Sequence, residues 1–212
     1  MVARLPLGHR PRRSGRHLDR GGLLMSTTPS QTVGPFYGYA LPFAKGGEIA
    51  PAGHPDALTV HGYVHDGAGA PVPDALIEIW HPAPDGSRRS APGSLRRDPV
   101  TGAVIGRTDA GFTGFGRVGT DAAGHYELRT LPPGGVPYLS VIVFARGLLH
   151  HLHTRIYLPG LTDTAADPLL AGLEPERRAT LLAVPHGERL HGFDIRLQGD
   201  GEHEETVFLA FD

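Results

Sequence analysis

Thirteen histidines stand in a chain of 212 residues that contains no cysteine. Without thiolate, no disulfide, zinc–thiolate or iron–sulfur site can form. Metal chemistry would have to rest on imidazole and oxygen donors, which suit zinc, copper or iron. The densest group is His150-His151-Leu152-His153. On a strand, side chains alternate with a period of two, so His151 and His153 point the same way and such a pair can chelate one ion. Tyr157, with His61 or His65, can complete the set. The alternative is a pair of strand imidazoles hydrogen-bonded to backbone and to neighbouring Asp or Arg, without metal. No HExxH, P-loop, GxSxG or dinucleotide fingerprint occurs, so the enzyme classes built on those motifs gain no support. Glu202, Glu204 and Glu205 read as a solvated turn.

The elements that must position these groups are mostly strands. Glycine and proline supply 30 and 20 of the 212 residues, which disfavours a helical bundle and favours many short strands with turns. Leu58, Val60, Gly62 and Val64 share one side of a strand that ends in the turn Asp66–Gly69. Ala75, Ile77 and Ile79 share a face of the segment 74–80. The Gly/Pro/Arg-rich stretch 82–113 shows no period. The turn Asp121–Gly124 leads into a strand through Tyr126, Leu128 and Thr130, which Pro132-Pro133-Gly134-Gly135 stops. Tyr138–Ala145 is the most apolar strand, far too short to span a membrane. Leu149–Tyr157 is a further strand, and a single short helix begins near Pro175. Phe193, Ile195 and Leu197, then Val207, Leu209 and Phe211, form two closing alternations. Some seven strands with one short helix predict an all-β sandwich with long loops.

The first two dozen residues differ in kind. Up to Leu24 there are six arginines and one acid, Asp19, against a net charge of −2 for the whole chain. A basic tail of +5 therefore precedes an acidic remainder of −7, which argues against nucleic-acid binding. Such a tail can be a transit peptide, a nucleic-acid arm, or residues upstream of a true start at Met25. The last is expected, with disorder otherwise. It has no continuous apolar core of the kind a secretory signal needs, and a cytoplasmic protein is expected. The expected organisation is a tail over 1–24 and one sandwich domain over 25–212.

Several stretches together resemble a known family. They are Thr28-Pro-Ser-Gln-Thr-Val-Gly-Pro35-Phe36, Pro71-Val-Pro-Asp-Ala-Leu-Ile-Glu-Ile-Trp80, and Phe144-Ala-Arg-Gly147 with His151-Leu-His-Thr-Arg155-Ile-Tyr157. The endings Phe193-Asp-Ile-Arg-Leu-Gln-Gly-Asp-Gly201 and Glu205-Thr-Val-Phe208 join them. From about Thr28 to Asp212 the chain is similar to the intradiol ring-cleaving dioxygenases, and within them to the alpha branch. The resemblance implies a β-sandwich core and ferric iron held by two tyrosines and two histidines, where hard phenolate oxygen suits the trivalent ion. The activity it implies is catechol cleavage by dioxygen between the hydroxyl carbons.

The same resemblance locates the ligands. The first tyrosine belongs in the loop after Glu78-Ile-Trp80, which here reads His81-Pro-Ala-Pro-Asp-Gly-Ser-Arg88. The second falls at Val136, and the histidine pair at Tyr138-Leu139-Ser140. None of the four is present, so the resemblance implies that this chain holds no metal and that Fe(III) sits in a partner beta chain of a hetero-oligomer. His151 and His153 match an alpha-branch motif one strand later and become structural, with Arg155 and acidic residues as their partners.

The residues implied in the wall of the substrate pocket, for a small aromatic catechol, are Thr32, Pro35 and Arg146. Thr32 supplies a hydroxyl, and Pro35 a stiff apolar edge. Arg146 is a permanent cation for a substrate carboxylate. Each has an alternative: an acidic neighbour that pairs Arg146 at the strand end, and a cap and turn at a subunit interface for Thr32 and Pro35. Two rival readings are a degenerate binding module and an independent metalloenzyme using His151 and His153. The stretch 87–114 departs from the family pattern.

Overall fold

The computed structural model describes residues 31, 32, 34, 37–89, 95–107 and 111–211. The basic tail 1–24 and the opening residues 28–30 lie outside the described residues, as do Val33, Pro35 and Phe36. A four-residue helix, α1 (Tyr37–Ala40), comes first. β1 (Leu58–His65) then buries Leu58, Val60, Gly62 and Val64, the predicted alternation. β2 (Leu76–Trp80) leads to a small hairpin, β3 (Leu95–Arg97) and β4 (Val104–Arg107). Next come β5 (Phe115–Gly119), β6 (His125–Thr130), β7 (Tyr138–Phe144) and β8 (Leu152–Tyr157). Two short helices, α2 (Pro168–Ala171) and α3 (Pro175–Ala179), precede β9 (Val184–Gly187), β10 (Leu190–Gly192) and β11 (Ile195–Arg196).

Two sheets face each other. One runs β5-β2-β7-β8, antiparallel throughout. The other is built on β1, which pairs with β6 on one edge and with β10 and then β11 on the other, while β9 pairs with β10. Their facing side chains, among them Val60, Val64, Ile77, Ile79, Leu128, Leu139, Val141 and Ile156, are almost fully buried in one core. A second, smaller core forms where Tyr157 meets Leu169, Leu170, Leu181, Val207 and Leu209. The expected all-β sandwich is the architecture found. No helix among the described residues is long and apolar enough to cross a membrane.

Several local expectations needed correction. Within the stretch 82–113, which shows no period in sequence, β3 and β4 pair as a hairpin. β5 and the β9–β10 hairpin are additional to the predicted strands, because glycines and exposed polar residues blur their period. The described residues hold three short helical segments rather than one. α2 does carry a start signal: Asp167 caps it by accepting from the Leu169 and Leu170 amides, and Pro168 follows at the first helical position. β8 begins at Leu152, after a turn, rather than at Leu149. The final alternation is not a strand in a ladder. Leu209 makes one bridge to His153, and Phe211 is exposed instead of sharing the buried face of Val207 and Leu209.

Candidate functional site

The last residue of β2, the loop after it and the first residues of β7 enclose a cavity of about 340 Å³, its walls including Trp80, His81, Phe112, Val136, Tyr138 and Ser140. Strand register assembles it, since Trp80 faces Phe115 on β5 and Ser140 on β7. Trp80 lies against the Phe115 ring with centroids 4.3 Å apart, yet remains half exposed. The loop is anchored at several points. The His81 amide donates to the Gly114 carbonyl, the Ala83 amide to Ser87, and the Gly134 amide back to Ala83. Gly134 permits that contact, because a Cβ there would stand 2.0 Å from the Pro84 carbonyl oxygen. The Pro-Pro-Gly-Gly stop to β6 is thus also the seat of the cavity loop.

His81 is buried with both ring nitrogens engaged. Nδ1 lies 2.8 Å from the Pro82 carbonyl and Nε2 lies 2.6 Å from Thr130 Oγ1. A carbonyl only accepts, so Nδ1 carries the proton and Nε2 accepts from the threonine hydroxyl. Burial drives the His81 pKa down to about 4, with the Pro82 hydrogen bond opposing. At neutral pH the ring is an uncharged structural link between the sheets. The Arg155 guanidinium on β8 sits 3.9 Å from the centre of the Tyr138 ring, a cation–π contact. Arg155 also donates to Tyr157 Oη at 3.1 Å, and Tyr157 donates to Asp167 at 3.0 Å.

The cavity therefore occupies the place to which the family resemblance assigns the iron ligands, and its donors do not suit ferric iron. Val136 and Ser140 stand where a phenolate and an imidazole are required, and both His81 nitrogens are committed to the protein. Among the described residues no group of three His, Asp or Glu side chains converges on a metal position.

The His151–His153 pair is real but isolated. Their Nε2 atoms lie 3.0 Å apart, one donating to the other, with Phe144 beside His151 and Phe211 beside His153. None of the proposed completing ligands reaches them. Tyr157 is held by Arg155 and Asp167, His61 contacts His186 at 3.2 Å on the opposite sheet, and His65 bonds the Gly69 carbonyl. Arg155, expected beside the histidines, is directed to Asp167 and the Tyr138 ring instead.

Of the three pocket-wall candidates, Pro35 lies outside the described residues and Thr32 is exposed. Arg146 pairs with Asp74, through Nε at 2.6 Å and a terminal nitrogen at 2.5 Å, while its side chain stays 68% exposed. It lies two residues beyond the far end of β7, which itself puts roughly 20 Å between Tyr138 and Phe144, so the cavity and Arg146 are separate features.

Residues 33–141 match the family model described as Dioxygenase. The chain belongs to this dioxygenase family, whose intradiol enzymes are iron-dependent in general. It is 37% identical over 207 residues to the protocatechuate 3,4-dioxygenase alpha chain of Burkholderia cepacia, covering 87% of this chain and 98% of that one. Against the corresponding alpha chain of Pseudomonas putida the identity is 33% over 214 residues, covering 89% and 98%. The beta chain of the Burkholderia cepacia enzyme is 28% identical over 162 residues, covering 68% of this chain and 65% of that one.

Proposed function

We propose that this chain is the alpha, non-iron-binding subunit of a protocatechuate 3,4-dioxygenase, a cytoplasmic hetero-oligomer that converts protocatechuate and dioxygen to 3-carboxy-cis,cis-muconate. Two facts support this reading together. The likeness runs over 98% of an alpha chain, and the cavity at the expected iron position offers no ligand set among the described residues. Fe(III) in the beta chain supplies the activation of the catechol toward dioxygen. This chain's part is binding and orientation by residues 25–212, acting as one domain. Thr32, Pro35 and Arg146 form the wall that it lends to the partner's pocket. Asp74 holds the Arg146 guanidinium in one place at the surface, where a beta chain would cover it and a substrate carboxylate would find a permanent cation.

The test is co-expression with an iron-bearing beta homologue, followed by iron analysis and oxygen uptake with protocatechuate, against this chain alone. Iron and activity confined to the pair are expected. A wine-red, active lone chain would overturn the assignment, because tyrosinate-to-iron charge transfer colours any occupied site. A pair that forms no complex would favour a degenerate binding module.

A further inference from the structure

The cavity at the expected iron position, which offers no ligand set among the described residues, has the features of a ligand site of another kind. Its volume of about 340 Å³ lies within the range of small-molecule pockets, and cavities of less than half that size admit benzene. One wall is the exposed part of Trp80, braced from behind by Phe115, and Phe112 forms another. Arg88 and Arg89 also line it, and among the described residues the lining holds no carboxylate and neither arginine is paired with an acid. His81 is neutral, so the described lining carries the two positive charges of Arg88 and Arg89 and no negative one. The Tyr138 and Ser140 hydroxyls have no hydrogen-bond partner among the described residues and are available to a polar ring substituent. The Arg89 amide donates to Ser87 Oγ, which ties the arginine pair to the anchored loop.

The geometry points to a second, non-catalytic binding site in this chain for an aromatic carboxylate, with the ring against Trp80 and Phe112 and the carboxylate on Arg88 and Arg89. An apolar ring gains from the aromatic walls, and the guanidinium fork matches a carboxylate. Neither half alone makes a good site, since two exposed arginines bind simple anions weakly and salt screens them. The site is a property of this chain and does not depend on the subunit assignment.

Trp80 is the only tryptophan of the chain, so its emission reports occupancy directly. The full chain is titrated with benzoate, benzamide, acetate and phosphate. The expected result is a saturable change in Trp80 emission with benzoate, at least tenfold tighter than with the other three and weaker at high salt. The Arg88→Gln/Arg89→Gln double variant should lose at least tenfold in benzoate affinity with its melting temperature unchanged, because both side chains are exposed. Equilibrium dialysis with labelled benzoate gives the stoichiometry independently, and one equivalent per chain is expected. No saturation at concentrations on the order of 10 mM would overturn the proposal. So would phosphate or acetate matching benzoate, which indicates a surface anion patch, or benzamide matching it, which indicates an apolar pocket without charge recognition.

Discussion

His81 and Arg146 show how one side chain's surroundings decide what it does. His81 follows a strand motif where the family places a metal-binding loop, yet its two hydrogen bonds and burial make it a neutral strut. Its folded pKa of about 4 lies below the usual 6.5. Between those values the unfolded chain binds a proton that the folded chain refuses, so stability is lost as pH falls, by about 3 kcal/mol across the window. Denaturant unfolding between pH 7 and 4 should therefore show a weaker pH dependence for His81→Gln than for the native chain. Equal slopes would mean that the ring titrates normally. His153 and His191 are shifted in the same direction by burial, so the difference between the two proteins, rather than the native slope, isolates His81. For Arg146, replacement by Ala in the assembled enzyme is expected to raise KM for protocatechuate roughly tenfold, as loss of one charged hydrogen bond allows, with iron content unchanged. An unaltered KM with weaker assembly would reassign Arg146 to an interface ion pair with Asp74.

Elements are joined here by close backbone approaches. β1 hands its edge from β10 to β11 at Phe193-Asp194, and the Phe193 carbonyl presses onto Gly62, where a Cβ would lie 1.9 Å away. Tyr126 Oη donates to that carbonyl at 2.6 Å, and Asp194 accepts from the Tyr63 amide at 2.9 Å, so the break leaves these backbone groups satisfied. Gly62→Ala is expected to destabilise by about 2 kcal/mol or more through overpacking, and Tyr126→Phe by about 1–3 kcal/mol through a buried carbonyl left unpaired. Thermal melts of the two variants check both values. Gly62 was legible from the sequence as an inward-facing strand position. Its partner was not, because Phe193 lies more than a hundred residues away and only the sheet register brings it there.

At the scale of the whole molecule, the C-terminal segment clamps both cores. Phe208 enters the sandwich core while Val207 and Leu209 enter the smaller one. Thr154 Oγ1 donates to the Val207 carbonyl, the Arg196 amide to Thr206 Oγ1, and the Leu209 amide to the His153 carbonyl. Truncation after Glu204 removes these three apolar side chains, worth together about 5 kcal/mol or more at 1.5–3 each. That is a large part of the stability of an ordinary domain, about 5–15 kcal/mol. Loss of cooperative unfolding, followed by circular dichroism, is the expected outcome, and a truncated chain that melts near the native temperature would show the strap to be dispensable.

The fold class, the main buried faces and the family resemblance were legible in the residues alone, because period-two alternation, turn residues and motif spacing are local properties. The family resemblance assigned the iron-ligand positions to Val136 and to Tyr138-Leu139-Ser140, counted from the Glu78-Ile-Trp80 and Pro-Pro-Gly-Gly markers. The folded arrangement alone shows that these positions enclose a cavity with Arg88 and Arg89 in its lining, and that His81 commits both nitrogens to Pro82 and Thr130. It likewise separated His61, His65 and Tyr157 from the histidine pair and joined Arg146 to Asp74. Each of these depends on which strands become neighbours and in which register, and that is settled by burial summed over two sheets rather than by any short run of residues.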